Sequence, residues 1–169
     1  EYVRVLEDLD ACWITPVTIA ESPWHGRGLI ATRGIPANCV LALFCGQVLL
    51  LSKAECAQHK NRSNLLELAR LKGGFTLYVD PTALYQMPLA ALTDGGKFFG
   101  GGFANSSSQC GGQLPPPNAV FAEHRISNGI AELQVLSTRE IACMEEIIVD
   151  YHWSWTLPQC NCRLKKYIR

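Results

Sequence analysis

Gly102-Phe103-Ala104-Asn105-Ser106-Ser107-Ser108 sits past the middle of the 169-residue chain. Alone it is a small polar turn after an aromatic residue, which is commonplace. Its weight comes from its neighbours. Pro117-Asn118 closes the same segment, and Glu146-Ile147-Ile148-Val149-Asp150-Tyr151 follows near the C-terminus. Upstream stand Gly26-Arg27-Gly28 and Phe44-Cys45-Gly46. A Gly-x-Gly pair either makes a tight turn or lets backbone pass close to another group. No helical pattern with a third glycine follows it here, which argues against a dinucleotide-binding loop.

Composition sets the frame. The length fits one domain with a real core. With 48% hydrophobic and 18% charged residues, the chain belongs with folded rather than disordered proteins. Formal net charge is zero, so no overall field draws it to nucleic acid. Glu1 to Asp10 is acid-rich, and the basic end with Arg163, Lys165, Lys166 and Arg169 reads as a solvated tail, with contact to an anionic partner as the lesser reading. No run of about 18 apolar residues suggests a membrane span, and the first residues lack a basic-then-apolar signal pattern. Of eight cysteines, six are scattered singly, several in apolar runs where a thiol acts as a small hydrophobe. Only Cys160-Asn161-Cys162 forms a pair. That usage points to a reduced, intracellular protein.

Periodicity predicts many short strands. Tyr2 to Leu6 alternates polar and apolar, as does Trp13 to Ala20, where Pro16 suggests an edge. Cys39 to Leu51 is apolar but interrupted by Gly46, and reads as two buried strands hinged at Phe44-Cys45-Gly46. Ser52 with Glu55 has the form of a capping box, opening a helix from Lys53 to His59. Leu65, Leu66, Leu68, Ala69 and Leu71 suggest a second helical piece, stopped by Gly73-Gly74. Phe75 to Asp80 reads as a strand. The glycines around Phe98 and Phe99 suggest a mobile loop, because each glycine inside a helix costs about 1 kcal/mol against alanine. Asn118 to Phe121, Leu133 to Leu136 and Ile147 to Val149 complete the strands, with Asn128-Gly129 as a hairpin turn.

Taken in order, Gly26-x-Gly28, Phe44-x-Gly46, Phe103-Ala104-Asn105-Ser106-Ser107, Pro117-Asn118 and Asp150-Tyr151 resemble the SET domain of protein lysine methyltransferases. The resemblance covers residues 18–153, leaving 1–17 as a flanking segment and 154–169 as a degenerate post-SET-like tail. It implies a mainly β, α+β fold of small curved sheets with few short helices. A C-terminal pseudo-knot would bring Asn105 beside Tyr151. It further implies S-adenosylmethionine bound on one side and a substrate lysine entering a narrow channel from the other. The substrate would be a protein, with a histone tail first in line, in a nuclear, chromatin-regulating setting. Neither direct nucleic-acid binding nor a membrane is expected.

The same resemblance assigns roles. Tyr151 is the catalytic tyrosine. His25, Gly26, Arg27 and Gly28 line the cofactor mainly through backbone, Asn105 and Ser106 hold its ends, and Trp153 or Trp155 stacks on adenine. Phe44, Phe75 and Val149 are candidate channel walls. There are departures. The family usually has Asn-His-Ser-Cys where this chain has Asn105-Ser106-Ser107-Ser108, and Phe44 replaces a frequent Tyr. Gly102 stands where an Arg is usual, and the loop from Ser106 to Pro117 is longer than usual. The post-SET zinc module is reduced to Cys160 and Cys162, with Cys110 as a nearby third candidate. A tetrahedral site needs four ligands, so no zinc is expected. Two other readings stand beside the enzyme: a SET-fold binding or scaffold module with little or no turnover, and a cysteine-based enzyme using His124 or His152. No Cys–His–Asn context supports the latter.

Overall fold

The apolar run after Cys39 forms one strand, β3 (Val40–Ser52), rather than two short ones. Gly46 is not a hinge. A side chain there would collide with the Asp80 backbone and come within 2.7 Å of Val79 Cγ1, so the glycine lets the neighbouring strand approach closely. β3 stays continuous because it changes partners along its length. Its first half pairs with β10 (Ile130–Ser137) and its second with β5 (Phe75–Asp80), the two meeting at Gln47. The computed structural model describes residues 16–24, 26–94, 97–106 and 115–151. The strand expected at Tyr2 to Leu6 and the tail 154–169 lie outside them.

β3 is the centre of a five-stranded sheet ordered β4-β5-β3-β10-β9, with β4 at Leu66–Arg70 and β9 at Ala119–Ser127. β4 corrects the second expected helix. Its leucines and alanine favour a helix locally, but β5 offers an open edge. Leu66 pairs with Val79 and Arg70 with Thr76, and Leu66 and Leu68 bury with the period of a strand. Gly73 and Gly74, at φ +87° and +79°, turn the chain between the two strands. The helix expected after Ser52 is present as α1 (Lys53–Gln58). The Ser52 hydroxyl accepts from the Glu55 amide (3.3 Å), and the Glu55 carboxylate accepts from the Ser52 amide (2.8 Å). The hairpin at Asn128-Gly129 is also as expected. Both residues have positive φ, +52° and +76°, which suits the twist of β9 and β10.

The described part of the glycine-rich segment is more ordered than expected. It contains β6 (Thr93–Asp94), β7 (Lys97–Phe98) and a 3₁₀ turn over Gly100–Phe103, with Gly100, Gly101 and Phe103 buried. A side chain on Gly101 would lie 2.6 Å from the Leu43–Phe44 backbone. Here the absence of side chains allows close packing on β3.

β1 (Val17–Glu21) and β2 (Arg27–Ala31) form an antiparallel pair. β11 (Ile148–Val149) pairs in parallel with β8 (Asn105–Ser106). Just before β11, Glu146 bridges Ile30, and the Ile147 amide donates to the Leu29 carbonyl (2.7 Å). The C-terminal segment therefore runs with β2 on one side and β8 on the other, the interlock that a pseudo-knot requires. The fold is mainly strand, in small sheets around one core. Phe44, Phe121, Leu133, Ile141 and Ile147 are among its buried members.

The turn before this segment carries local strain. Met144 has φ +67° and is 76% exposed, so it gains no burial in return. A left-handed conformation costs a side-chain-bearing residue roughly 1–2 kcal/mol, part of which glycine returns as extra freedom when unfolded. Met144→Gly is therefore expected to raise stability by about 0.5–1 kcal/mol, read as a higher midpoint in urea with an unchanged slope.

Candidate active site

Three segments meet where β11 enters the fold. Glu146 stands at the junction with a buried side chain. Its Oε1 accepts from Asn105 Nδ2 (2.6 Å) and its Oε2 from the Ser22 hydroxyl (2.8 Å). The carboxylate lies where a Gly28 side chain would be, so Gly28 is the close-approach glycine of the Gly-x-Gly pair. Gly26, at φ +55°, is the turn glycine, and its carbonyl accepts from the Ser22 amide (2.8 Å). Asn105 Nδ2 also lies 3.5 Å from the Arg27 carbonyl. The Arg27 guanidinium sits over the Phe103 ring, 4.9 Å from its centroid.

Asn118 clamps the same segment. Its amide nitrogen donates to the Glu146 carbonyl (2.8 Å) and Glu145 Oε1 (3.1 Å), and its Oδ1 accepts from the Ile148 amide (2.8 Å). Its own backbone amide donates to the Ile148 carbonyl (3.0 Å). Glu145 is fixed by Arg139 (2.6 Å) and by the Ala142 amide (2.9 Å). These bonds, Arg139 first, hold its pKa down to about 2 against the opposing effect of partial burial.

Tyr151 follows directly. Its amide donates to Ser106 Oγ (3.1 Å), which gives the buried serine a side-chain role beyond its backbone. Its hydroxyl is 2.9 Å from the Ala104 carbonyl and 3.3 Å from that of Gly102. The Gly102 carbonyl also accepts from the Tyr85 hydroxyl at 2.8 Å. With the closer donor on Gly102, the single Tyr151 proton is best placed on Ala104. Burial, and then the neighbouring Tyr85, push the Tyr151 pKa well above its usual value near 10. Tyr151 is thus a neutral hydroxyl at physiological pH. Its ring lies 5.8 Å from Phe121 and 6.2 Å from Phe44, while Tyr85 packs edge-on to Phe103 at 5.1 Å.

The structure therefore gathers Gly26, Arg27, Gly28, Asn105, Ser106 and Tyr151 around one junction, with Phe44 beside Tyr151 and Val149 in the adjoining β11. Phe75 lies elsewhere. It is 42% exposed, pairs with Ser52 at the far end of β3, and lines a cleft under α1 with Lys53, Cys56 and Tyr78. Phe121 and Tyr85 occupy the neighbourhood in which Phe75 was expected. Tyr85 reaches it from the one-turn helix α2 (Thr82–Tyr85), which no sequence pattern tied to Tyr151. His25, Trp153, Trp155, His152, Cys110, Cys160 and Cys162 lie outside the described residues. Among the described residues, no group of three or more His, Cys, Asp or Glu could hold a metal ion.

The family described as the SET domain matches residues 26–152. The chain belongs to the SET domain family. Its fold is similar to that of ATXR5 in complex with histone H3.1, with TM-score 0.58 and 16% identity over 91% of this chain and 68% of that one. It is also similar to CpSET8 from Cryptosporidium, with TM-score 0.50 and 17% identity, where 83% of this chain covers 59% of that one. At such identities the likeness concerns the fold. No curated protein sequence matches the chain.

Two outcomes test this SET-domain geometry. Glu145 has a lowered folded-state pKa, so its contribution to stability is complete above its ordinary value of 4.5 and is lost as pH falls toward about 2. Urea unfolding between pH 6 and 2 should show that loss, and Glu145→Gln should flatten it. Tyr85→Phe should cost about 1 kcal/mol in the same assay, because a largely buried hydroxyl–carbonyl bond is lost.

Proposed function

We propose that this SET domain transfers a methyl group from S-adenosylmethionine to the side-chain amine of a lysine in a protein, with a histone tail as the first candidate. The observation that carries the reading is the placement of Tyr151. Its neutral hydroxyl rests on the carbonyls of the segment that holds Asn105, and aromatic rings stand beside it. The histone H3.1 bound in the ATXR5 complex supports a histone as substrate class.

The residues at the junction suit such a cofactor. Asn105, Ser106 and the backbone from Gly26 to Gly28 bring together polar groups of the kind that the amino-acid and adenine ends call for. When bound, the cofactor supplies an already activated methyl group. The protein's task is then to position the acceptor and supply it as a neutral amine. Phe44, Phe121 and Val149 form an apolar surround that disfavours a charged ammonium and so lowers the lysine pKa. Holding the amine in line with the methyl gives the effective concentration that a displacement needs. The Tyr151 oxygen and the carbonyls near it can accept weak C–H···O contacts from an electron-poor methyl group. Tyr151 acts here as an oriented dipole, since its raised pKa keeps its proton in place.

Phe44 favours a second reading. It brings no hydroxyl to the channel where the family often has one, and this fits a scaffold module with weak turnover. One experiment separates the two: transfer of labelled methyl from S-adenosylmethionine to mixed core histones by the wild type and Tyr151→Phe. The enzyme reading predicts label on a histone and at least a ~10-fold slower rate for the variant, whose fold is intact by circular dichroism. Binding of the cofactor with no label on any protein substrate favours the scaffold. An unchanged rate in Tyr151→Phe removes Tyr151 from the mechanism.

A further inference from the structure

Gly102 stands where an arginine is usual, and Tyr85 fills the space beside it. A methyl group on Gly102 would lie 3.1 Å from Tyr85 Cε1 and 3.2 Å from its hydroxyl oxygen, so the missing side chain makes room for the ring. The ring also packs edge-on to Phe103, 5.1 Å between centroids. The start of α2 is anchored separately. Asp80 Oδ1 accepts from the Thr82 amide (2.9 Å), and Asn61 Nδ2 donates to Asp80 Oδ2 (3.3 Å). Burial, and then the charge of Asp80, raise the Tyr85 pKa, so its hydroxyl keeps its proton and donates. Two hydroxyls therefore converge on the Gly102 carbonyl, Tyr85 at 2.8 Å and Tyr151 at 3.3 Å. Tyr151 alone has a second acceptor at hand, the Ala104 carbonyl at 2.9 Å.

From this geometry we infer that Tyr85 is a positioning residue for Tyr151: by occupying the Gly102 carbonyl it directs the Tyr151 proton to Ala104 and so fixes the direction of the hydroxyl dipole. A phenolic hydroxyl has one proton and turns about a single bond, so the acceptor it chooses sets where its oxygen lone pairs point. The inference rests on the methyltransferase reading, in which Tyr151 acts as an oriented dipole, and adds to it the residue that orients the dipole. Without the Tyr85 hydroxyl the Gly102 carbonyl loses its nearer donor. The Tyr151 proton then divides between two acceptors, because a buried carbonyl left bare is costly.

The test pairs a spectroscopic readout with a kinetic one, on the full chain and its Tyr85→Phe, Tyr151→Phe and doubly substituted variants. The first is the carbonyl-carbon resonance of Ala104 in the isotope-labelled protein. Tyr85→Phe should move it, although Tyr85 does not bond to Ala104, and should leave it unmoved when Tyr151 is already Phe. The second is methyl transfer from S-adenosylmethionine to core histones. Tyr85→Phe should lower kcat at least ~3-fold with the KM for the cofactor within about two-fold, and should slow the Tyr151→Phe variant no further, because one residue acts through the other. An unmoved Ala104 resonance in Tyr85→Phe overturns the inference, as does an unchanged kcat. The same fractional loss in both backgrounds would mean a general loosening and overturns it too. Should Tyr85→Phe fail to fold, Gly102→Ala decides. Its methyl group displaces the Tyr85 hydroxyl while both tyrosines remain, so kcat should fall by a similar factor, and a wild-type kcat in that variant overturns the inference. If the wild type transfers no methyl group, the methyltransferase reading itself falls and the inference with it. Wild-type turnover with no effect of Tyr85→Phe leaves that reading standing and removes only the role of Tyr85.

Discussion

The parallel pairing of Asn105–Ser106 with Ile148–Val149 is a ladder only two residues long, and the site depends on it. Two-residue pairing cannot hold distant chain segments together unaided, because ordering each residue costs about 1–2 kcal/mol of backbone entropy. The fold supplements it with buried side-chain bonds. Asn118 takes both the amide and the carbonyl of Ile148, Glu146 links Ser22 to Asn105, and Ser106 receives the amide of Tyr151. Every one of these joins chain segments far apart in sequence. Their common effect is to place the Tyr151 hydroxyl against the Ala104 carbonyl.

Such a network is costly if incomplete, since a buried polar atom without a partner loses its water and gains nothing. Among the described residues, no buried side-chain nitrogen or oxygen lacks a hydrogen-bond partner. The polar junction is framed by apolar packing. Ile147 and Val149 are buried on the C-terminal segment, and Phe44 and Phe121 meet edge-on at 5.2 Å beside Tyr151. Rigidity and an apolar surround are what alignment and desolvation of a lysine amine call for. They arise here from the same residues that close the fold.

Much of this was legible in the sequence because the signals were local or came as an ordered set. Ser52 and Glu55 announce a helix start whatever surrounds them, and Asn128-Gly129 announces its turn. The order of the glycine, asparagine and tyrosine motifs carried the family. What was missed depended on partners elsewhere in the chain. Leu65 to Leu71 has helical preferences, and only the free edge of β5 turns it into a strand. Gly46 and Gly101 read as hinge and loose loop, but their role is to let backbone approach β5 and β3. The resemblance makes Phe75 a channel wall, yet it stands at the far end of the sheet and is exposed. Tyr85 could not be tied to Tyr151, because only the path of α2 and the turn over Gly100–Phe103 bring both hydroxyls to Gly102.

Hydrogen exchange of the full chain with and without S-adenosylmethionine tests the central claim most directly, because it reports on the junction itself. A cofactor held where β2, β8 and the C-terminal segment meet predicts slower exchange in three separate stretches at once: 27–31, 104–106 and 146–149. The hairpin at Asn128-Gly129 should be unaffected. Protection confined to other regions, or none at saturating cofactor, would contradict the placement of the site at this junction.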